Sequence, residues 1–177
     1  KMTDAINRQI NAELYSAYLY FAMSSYCSKT GLNGSANWFF VQGQEEMTHA
    51  LRFYYYVLDQ GEHAVLAAID KPPAEFKSLT QMFTETLKHE KTVTALINNL
   101  ADQAEAEKDH ASAILLQWFV TEQVEEEKNA SEILGKLKLA GDSGSGLFMV
   151  DNELGTRMFA FPPDLVKGQT AAPAAGA

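Results

Sequence analysis

The chain has 177 residues, which fits one domain of ordinary size with a single hydrophobic core. Hydrophobic residues make up 46% and charged residues 21%, and no uninterrupted apolar stretch reaches the ~18 residues that a membrane span needs. The net charge of −9 argues against a phosphate backbone as partner and favours cations. We therefore expect a globular protein with no membrane and no nucleic-acid partner.

The compartment is predicted from the single cysteine and the N-terminal sequence. Cys27 cannot form an internal disulfide, and a packed thiol suits a reducing compartment. No basic segment followed by an apolar segment and a small-residue cleavage site opens the chain. We expect a cytoplasmic protein.

Two antiparallel helices are predicted in the first third of the chain. Apolar residues recur at intervals of three and four over residues 3–28, and the KTGLNGS segment that follows supplies a short turn. A second helix carries residues 38–58 and stops near Gly61. Five aromatic residues on this helix exceed what one bundle needs and are predicted to be exposed until a partner subunit buries them: Trp38, Phe39, Tyr54, Tyr55 and Tyr56.

A long connection leads to a second pair of helices. Residues 62–75 lack periodicity and can extend about 46 Å, enough to run the length of a bundle. Ser78 and Gln81 are expected to cap a third helix over residues 76–107.

The fourth helix is predicted to begin after Asp109 and to end at Gly141, and residues 147–154 can form one more short helix. Strand-like alternation is absent from the sequence. The prediction is an all-α, ferritin-like four-helix bundle with one long crossover and a short fifth helix, over residues 1–160. Residues 161–177 are predicted to be a flexible C-terminal tail.

Polar residues interrupt the apolar face of each long helix. Glu13 lies three residues after Ile10, and Glu90 shares a helical face with Leu87, so both carboxylates are predicted to lie among core side chains. Buried charges have to be paired or bound to metal. Glu46 and His49 are three residues apart and can hold one ion between an oxygen and a nitrogen ligand.

The fourth helix departs from the pattern of di-metal bundles, in which two helices each carry Glu-x-x-His. Gln123 and Glu126 stand at the corresponding positions, so one side of the centre should bind metal more weakly. The remaining acidic residues, Glu45, Glu122 and Glu125, form either a solvated face or a third, looser cation site. The other histidines, His63, His89 and His110, are predicted to be surface residues.

The segments ELYSAYLY, QEEMTHA, LKHEK and LQWFVTEQVEEEK, in this order and spacing, resemble the prokaryotic non-haem ferritins over residues 3–155. The resemblance implies a ferroxidase that oxidises Fe(II) with dioxygen or hydrogen peroxide and stores the ferric mineral in a cage of twenty-four subunits. An alternative is a ferritin-like di-iron peroxidase or oxidase without a storage role. A purely structural helical bundle would not need inward carboxylates on all four helices.

The same resemblance implies the roles of individual residues. The first iron would be held by Glu13, Glu46 and His49, and the second by Glu46, Glu90 and Glu126, with Gln123 nearby. A tyrosine beside the centre matches Tyr20, although an ordinary core aromatic is an equally good interpretation of this residue. A third iron site of several bacterial members matches four glutamates: Glu45, Glu122, Glu125 and Glu126.

Two departures limit what the resemblance implies. The haem-carrying relatives have a second Glu-x-x-His on the fourth helix, and its absence here predicts a protein without haem. Animal ferritins line their three-fold channels with carboxylates at the positions of Ala113 and Leu116, so the route by which iron enters cannot be taken from them.

Overall fold

The computed structural model describes residues 2–166, and within them the chain forms five α-helices and one 3-10 turn, without strands. The elements, in chain order, are α1 (Met2–Lys29), α2 (Asn33–Asp59), α3 (Leu79–Glu107), α4 (His110–Ala140), α5 (Gly144–Leu154) and the 3-10 turn Pro163–Leu165. The all-α prediction and the short fifth helix are confirmed. The last eleven residues, 167–177, lie outside the described part, so the predicted tail is described only at its start.

The starts of α3 and α4 follow from their capping residues. The Ser78 hydroxyl accepts a hydrogen bond from the Gln81 backbone N–H at 3.1 Å, as the sequence predicted. The Asp109 carboxylate accepts one from the Ser112 backbone N–H at 3.1 Å. Each cap satisfies a backbone donor that the first helical turn leaves unpaired. Helix α3 therefore begins at Leu79, three residues later than predicted.

Helix α5 is attached to the bundle through the start of α2. The residue before α2, Leu32, offers no side-chain cap, and Asp151 of α5 supplies one instead. Its carboxylate accepts from the backbone N–H groups of Gly34 at 3.1 Å and Ser35 at 2.8 Å. A Cβ at Gly34 would lie 1.7 Å from the Asp151 carbonyl oxygen, so this close approach requires glycine.

The crossover between α2 and α3 runs along α1. Near the start of α1, the Asn7 side chain donates to the His63 carbonyl oxygen at 3.3 Å. Near its end, the Tyr26 hydroxyl donates to the Phe76 carbonyl oxygen at 2.5 Å. The connection therefore spans the bundle lengthwise, which allows α3 to start at the opposite end from where α2 stops.

The apolar core is divided into two clusters with a polar layer between them. The first, the Phe83 cluster, includes Tyr20, Phe39, Met82, Phe83 and Leu134. The second, the Ile97 cluster, includes Ile6, Phe53, Ile97, Leu116 and Phe119. Along every long helix a buried polar residue lies between members of the two clusters, and we call these residues the carboxylate layer: Glu13, Glu46, His49, Glu90, Gln123 and Glu126.

Two predictions about exposure are wrong. Trp38 and Phe39 are buried inside the bundle, because both pack against the Phe83 ring at centroid distances of 5.0 Å and 4.9 Å. His89 is not a surface residue either, since it lies between α1 and α3 with its Nε2 atom 2.8 Å from the Ser16 hydroxyl. Helical phase alone did not separate these positions from the solvent face.

His63 and His110 are exposed, as predicted. Tyr54, Tyr55 and Tyr56 are already partly buried within the single subunit, rather than exposed as predicted. Among the described residues, no helix is both long and apolar enough to cross a membrane.

Candidate di-metal centre

The carboxylate layer brings together side chains from all four long helices. Glu13 comes from α1, Glu46 from α2, Glu90 from α3 and Glu126 from α4, and each is at most 5% exposed. Because each helix continues as an apolar face on either side, the glutamates are carried into the interior by their neighbours. Four buried carboxylates in one layer repel one another unless protons or cations neutralise them.

On one side of the layer, Glu13, Glu46 and His49 form a compact group. One potential ligand atom of each lies within 4.8 Å of the others. The His49 Nδ1 atom is 3.1 Å from a Glu46 carboxylate oxygen. Glu13 accepts a hydrogen bond from the Gln9 amide at 2.7 Å on one oxygen, whereas its Oε2 atom is buried without a hydrogen-bond partner. A cation between these side chains would supply the missing partner.

On the other side, two amides hold the carboxylates of Glu90 and Glu126. The Gln123 amide donates to a Glu90 carboxylate oxygen at 3.3 Å, and the Tyr20 hydroxyl donates to the other oxygen. The Gln42 amide donates to Glu126 at 2.8 Å and to Glu46 at 3.0 Å. These bonds hold carboxylates from three helices, although Glu46, Glu90 and Glu126 do not form one compact group of ligand atoms in the described part of the chain.

Burial raises the pKa values of all four glutamates in the layer. Burial first, and then the neighbouring carboxylate of Glu46, raises the pKa of Glu13 to about 8 and that of Glu90 to about 8. Burial and the charge of Glu90 raise the pKa of Glu126 to about 8. Burial and Glu126 raise the pKa of Glu46 as well. The layer is therefore unfavourable when fully ionised, and bound cations would relieve the repulsion.

The remaining acidic residues, which we call the rim, differ in their contacts and exposure: Glu45, Glu122 and Glu125. Glu122 approaches His49 from the side opposite Glu46, with its oxygen 3.9 Å from the Nε2 atom. A ligand atom from each of His49, Glu122 and Glu126 lies within 4.8 Å of the others, which gives a second candidate group. Glu45 is ion-paired with Arg157, and Glu125 is exposed and belongs to neither group.

Tyr20 lies inside the bundle, at the edge of the layer. Its ring is fully buried and stacks on Phe39 at 6.2 Å, and burial together with the Glu90 charge raises its pKa. The His89 ring meets it edge-on at 6.0 Å, and burial lowers the pKa of this histidine to about 4. A neutral His89 adds no charge beside Glu90.

Three residues at the site were missed by the sequence analysis. Gln9 and Gln42 stand four residues before Glu13 and Glu46, on the same helical faces, so the pattern Gln-x-x-x-Glu could have found both. Arg157 follows α5 and reaches the site only because α5 docks on α2. No signal in the sequence indicates that contact.

The comparison with protein families decides the assignment. A model of the ferritin-like domain matches residues 3–140, about three quarters of the chain. The chain belongs to the ferritin family. The bacterial non-heme ferritin of Escherichia coli O6:H1 is 44% identical over 156 residues, which cover 88% of this chain and 94% of that protein. The bacterial non-heme ferritin of Staphylococcus aureus MRSA252 is 38% identical over 158 residues, 89% of this chain and 95% of that protein.

Solved ferritins have the same fold. An engineered closed form of the Archaeoglobus fulgidus ferritin superposes with a TM-score of 0.89 at 46% identity, covering 90% of this chain and 98% of that one. The open-pore ferritin of the same archaeon gives a TM-score of 0.88 at 46% identity, covering 89% and 97%. The ferritin-like bundle predicted from the sequence is confirmed.

Proposed function

We propose that this chain is the subunit of an iron-storing ferritin that oxidises Fe(II) to Fe(III) at a centre for two ions and stores the product as a ferric mineral. The family supports iron storage. One observation carries the proposed ferroxidase activity, namely that four buried glutamates and one histidine converge in the carboxylate layer. Fe(II) is the substrate, and dioxygen or hydrogen peroxide is the oxidant.

The first ion would lie between Glu13, Glu46 and His49, where Glu13 has a buried oxygen without a hydrogen-bond partner. The second would lie between Glu46, Glu90 and Glu126, with Glu46 shared by both ions. Gln123 would orient Glu90 rather than provide a strong ligand, because its amide nitrogen faces that carboxylate. The second ion thus has no histidine ligand, which supports weaker binding on that side.

The chemistry of the ligands supports iron. Carboxylate oxygens are hard ligands, which favour Fe(III) over Fe(II) and so assist oxidation, and an imidazole also suits iron. The four glutamates, when ionised, carry four negative charges, and two Fe(II) ions carry four positive ones. Metal binding would therefore displace the protons that burial holds on these carboxylates, and Fe(II) affinity should rise with pH.

A third, looser site would use Glu45, Glu122 and Glu125 with Glu126. The approach of Glu122 to His49 supports a cation position next to the two-ion centre. The exposed position of Glu125 supports weaker binding there, because water competes with the carboxylate for the ion. Tyr20, hydrogen-bonded to Glu90, would hold that ligand, and this contact supports a role in exchanging a proton or an electron with the centre.

A storage role requires a hollow assembly, since one bundle encloses no space for mineral. We propose a cage of twenty-four subunits. Large apolar side chains remain exposed on the α1–α2 hairpin, including Tyr18 at 53% and Phe40 at 51%, which supports burial against other subunits. Leu116 is fully buried, so it cannot line a channel through the cage wall.

Size exclusion with light scattering, combined with iron analysis of the eluted peak, tests this function. We expect a particle of about twenty-four times the 19.6 kDa subunit that retains ferric iron after Fe(II) and dioxygen are added. A single subunit that oxidises Fe(II) would instead support a di-iron oxidase without storage. An assembled particle that oxidises Fe(II) no faster than buffer would contradict the ferroxidase assignment.

A further inference from the structure

Arg157 lies outside the four-helix bundle and contacts two residues that adjoin the carboxylate layer, Gln42 and Glu45. It follows α5, and the Asn37 amide of α2 donates to its carbonyl oxygen at 2.9 Å, which fixes the backbone at this point. Its guanidinium carbon lies 4.6 Å from the centroid of the Trp38 ring, so the side chain is stacked against α2. Only 19% of the side chain is exposed.

The guanidinium group divides its donors between two residues of α2. The Nη1 atom donates to the Gln42 side-chain oxygen at 2.7 Å, and the Nη2 atom donates to the Glu45 carboxylate. The rigid planar fork of arginine makes both bonds in one plane, which a lysine ammonium group cannot reproduce.

Gln42 connects Arg157 to the proposed metal ligands through hydrogen bonds. Its amide nitrogen donates to the carboxylates of Glu46 at 3.0 Å and Glu126 at 2.8 Å, so both of its N–H groups are used. Its oxygen is occupied by Arg157. If the amide rotated by half a turn, its oxygen would face two carboxylates and its N–H groups would face a guanidinium, which is unfavourable on both sides.

We propose that Arg157 is a positioning residue for the second metal ion. It acts through Gln42, whose fixed amide donates to Glu46 and Glu126 and so holds carboxylates from two helices in place. This inference rests on the proposed function, because Glu46 and Glu126 are ligands of the second ion there. The first ion shares only Glu46 with this network, so the effect falls mainly on the second.

The positive charge of Arg157 and its positioning role predict opposite effects of its removal on metal affinity. Arg157 places a positive charge beside a cation site, so by electrostatics alone its removal would tighten metal binding. A positioning residue has the reverse effect, since loss of an outer partner of a metal ligand typically weakens affinity about 10- to 100-fold. The sign of the change therefore separates the two roles.

Anaerobic titration of the assembled protein with Co(II), followed by its visible absorption, gives the test. Arg157→Leu should weaken the second binding step about tenfold or more and leave the first step within about twofold. Arg157→Lys keeps the charge without the fork, and its second step should also be weakened. The matched control is Lys136→Met, which removes the ion pair between α4 and Glu153 of α5 without touching the layer.

The path through Gln42 is tested by a double-mutant cycle. In a Gln42→Leu background, Arg157→Leu should have no further effect on the second step. Three results would overturn the proposal. The first is an unchanged or tighter second binding step in Arg157→Leu, and the second is wild-type binding in Arg157→Lys. The third is a full effect of Arg157→Leu in the Gln42→Leu background. If the wild type itself binds no pair of Co(II) ions, that result contradicts the proposed centre and, with it, the role of Arg157.

Discussion

The Ile97 cluster and the carboxylate layer are neighbours on the same four helices, yet they contribute to the protein in opposite ways. In the cluster, apolar side chains such as Ile97 and Phe53 are fully buried against one another, and their removal from water stabilises the fold. In the layer, burial raises the pKa values of the glutamates, so metal-free folding at neutral pH has to take up protons, which costs free energy. The apolar clusters therefore stabilise the fold, whereas the polar layer lowers the stability of the metal-free protein.

The largest effect is expected from loss of the shared ligand. Glu46→Ala leaves neither proposed ion with a complete ligand set, so rapid Fe(II) oxidation should fall by more than about 100-fold, beyond the usual loss for an outer-shell partner. Because one buried carboxylate is removed from a repelling group, the melting temperature of the metal-free protein should stay equal or rise. Stopped-flow absorbance of the ferric product and calorimetry measure the two effects.

The matched control is Glu62→Ala, since Glu62 is an exposed residue of the crossover. Wild-type oxidation rates in Glu46→Ala would remove Glu46 from the centre. A large fall in metal-free stability would contradict the opposition between layer and clusters.

A truncation in the apolar cluster should give the reverse pattern. Ile97→Ala removes three buried carbon atoms and should cost about 2–5 kcal/mol of stability, measured as a lower melting temperature or denaturant midpoint. Oxidation per assembled subunit should stay within about twofold. The neighbouring Leu96 is 39% exposed, so Leu96→Ala should lie close to the wild type. Equal losses in the two variants would show that the cluster does not carry the stability.

The pH dependence of the metal-free protein sharpens the same comparison. The pKa of Glu13 is about 8 in the folded protein, above its ordinary value of 4.5, so the folded state binds the proton more tightly than the unfolded state. This contribution to stability is fully present below pH 4.5 and is lost as the pH rises through about 8. Between these values the melting temperature of the wild type should fall more than that of Glu13→Gln.

A pH series of melting curves, recorded with a chelator, measures this difference. Glu62→Gln serves as the control, because this side chain is exposed and should follow the wild type. Parallel curves for the wild type and Glu13→Gln would contradict the unfavourable ionisation of the layer.

The smallest effect is expected at the rim. Glu122 is partly exposed and Glu125 is exposed, so water competes there with flexible ligands. Changing both to alanine should spare the two tightest Fe(II) ions and alter the iron-to-oxygen stoichiometry or the recovery of the centre after turnover. Anaerobic calorimetry decides this point, and the loss of one of the two tightest sites would place these residues in the centre itself.

Much of the bundle was predictable because helical periodicity and capping residues are local signals. The Ser78 cap, the start at Asp109 and the inward phase of Glu13 and Glu90 were all read from spacing. The burial of Trp38 was missed, since periodicity does not tell which apolar residues one bundle can enclose.

The contacts made by the C-terminal segment could not be predicted. The Arg157 guanidinium reaches Gln42 across 115 residues of sequence, through the docking of α5 on α2. The ligand assignments themselves came from the resemblance and helical phase, and they stay predictions until metal is observed.

A crystal soaked with Fe(II) in the absence of oxygen tests the central claim most directly, because anomalous scattering locates each ion. We expect two ions in the carboxylate layer that share Glu46, with the better-occupied one beside His49 and Glu13. Any third ion should lie at the rim with lower occupancy. An empty layer, with iron bound only at exposed acidic residues, would contradict the proposed centre.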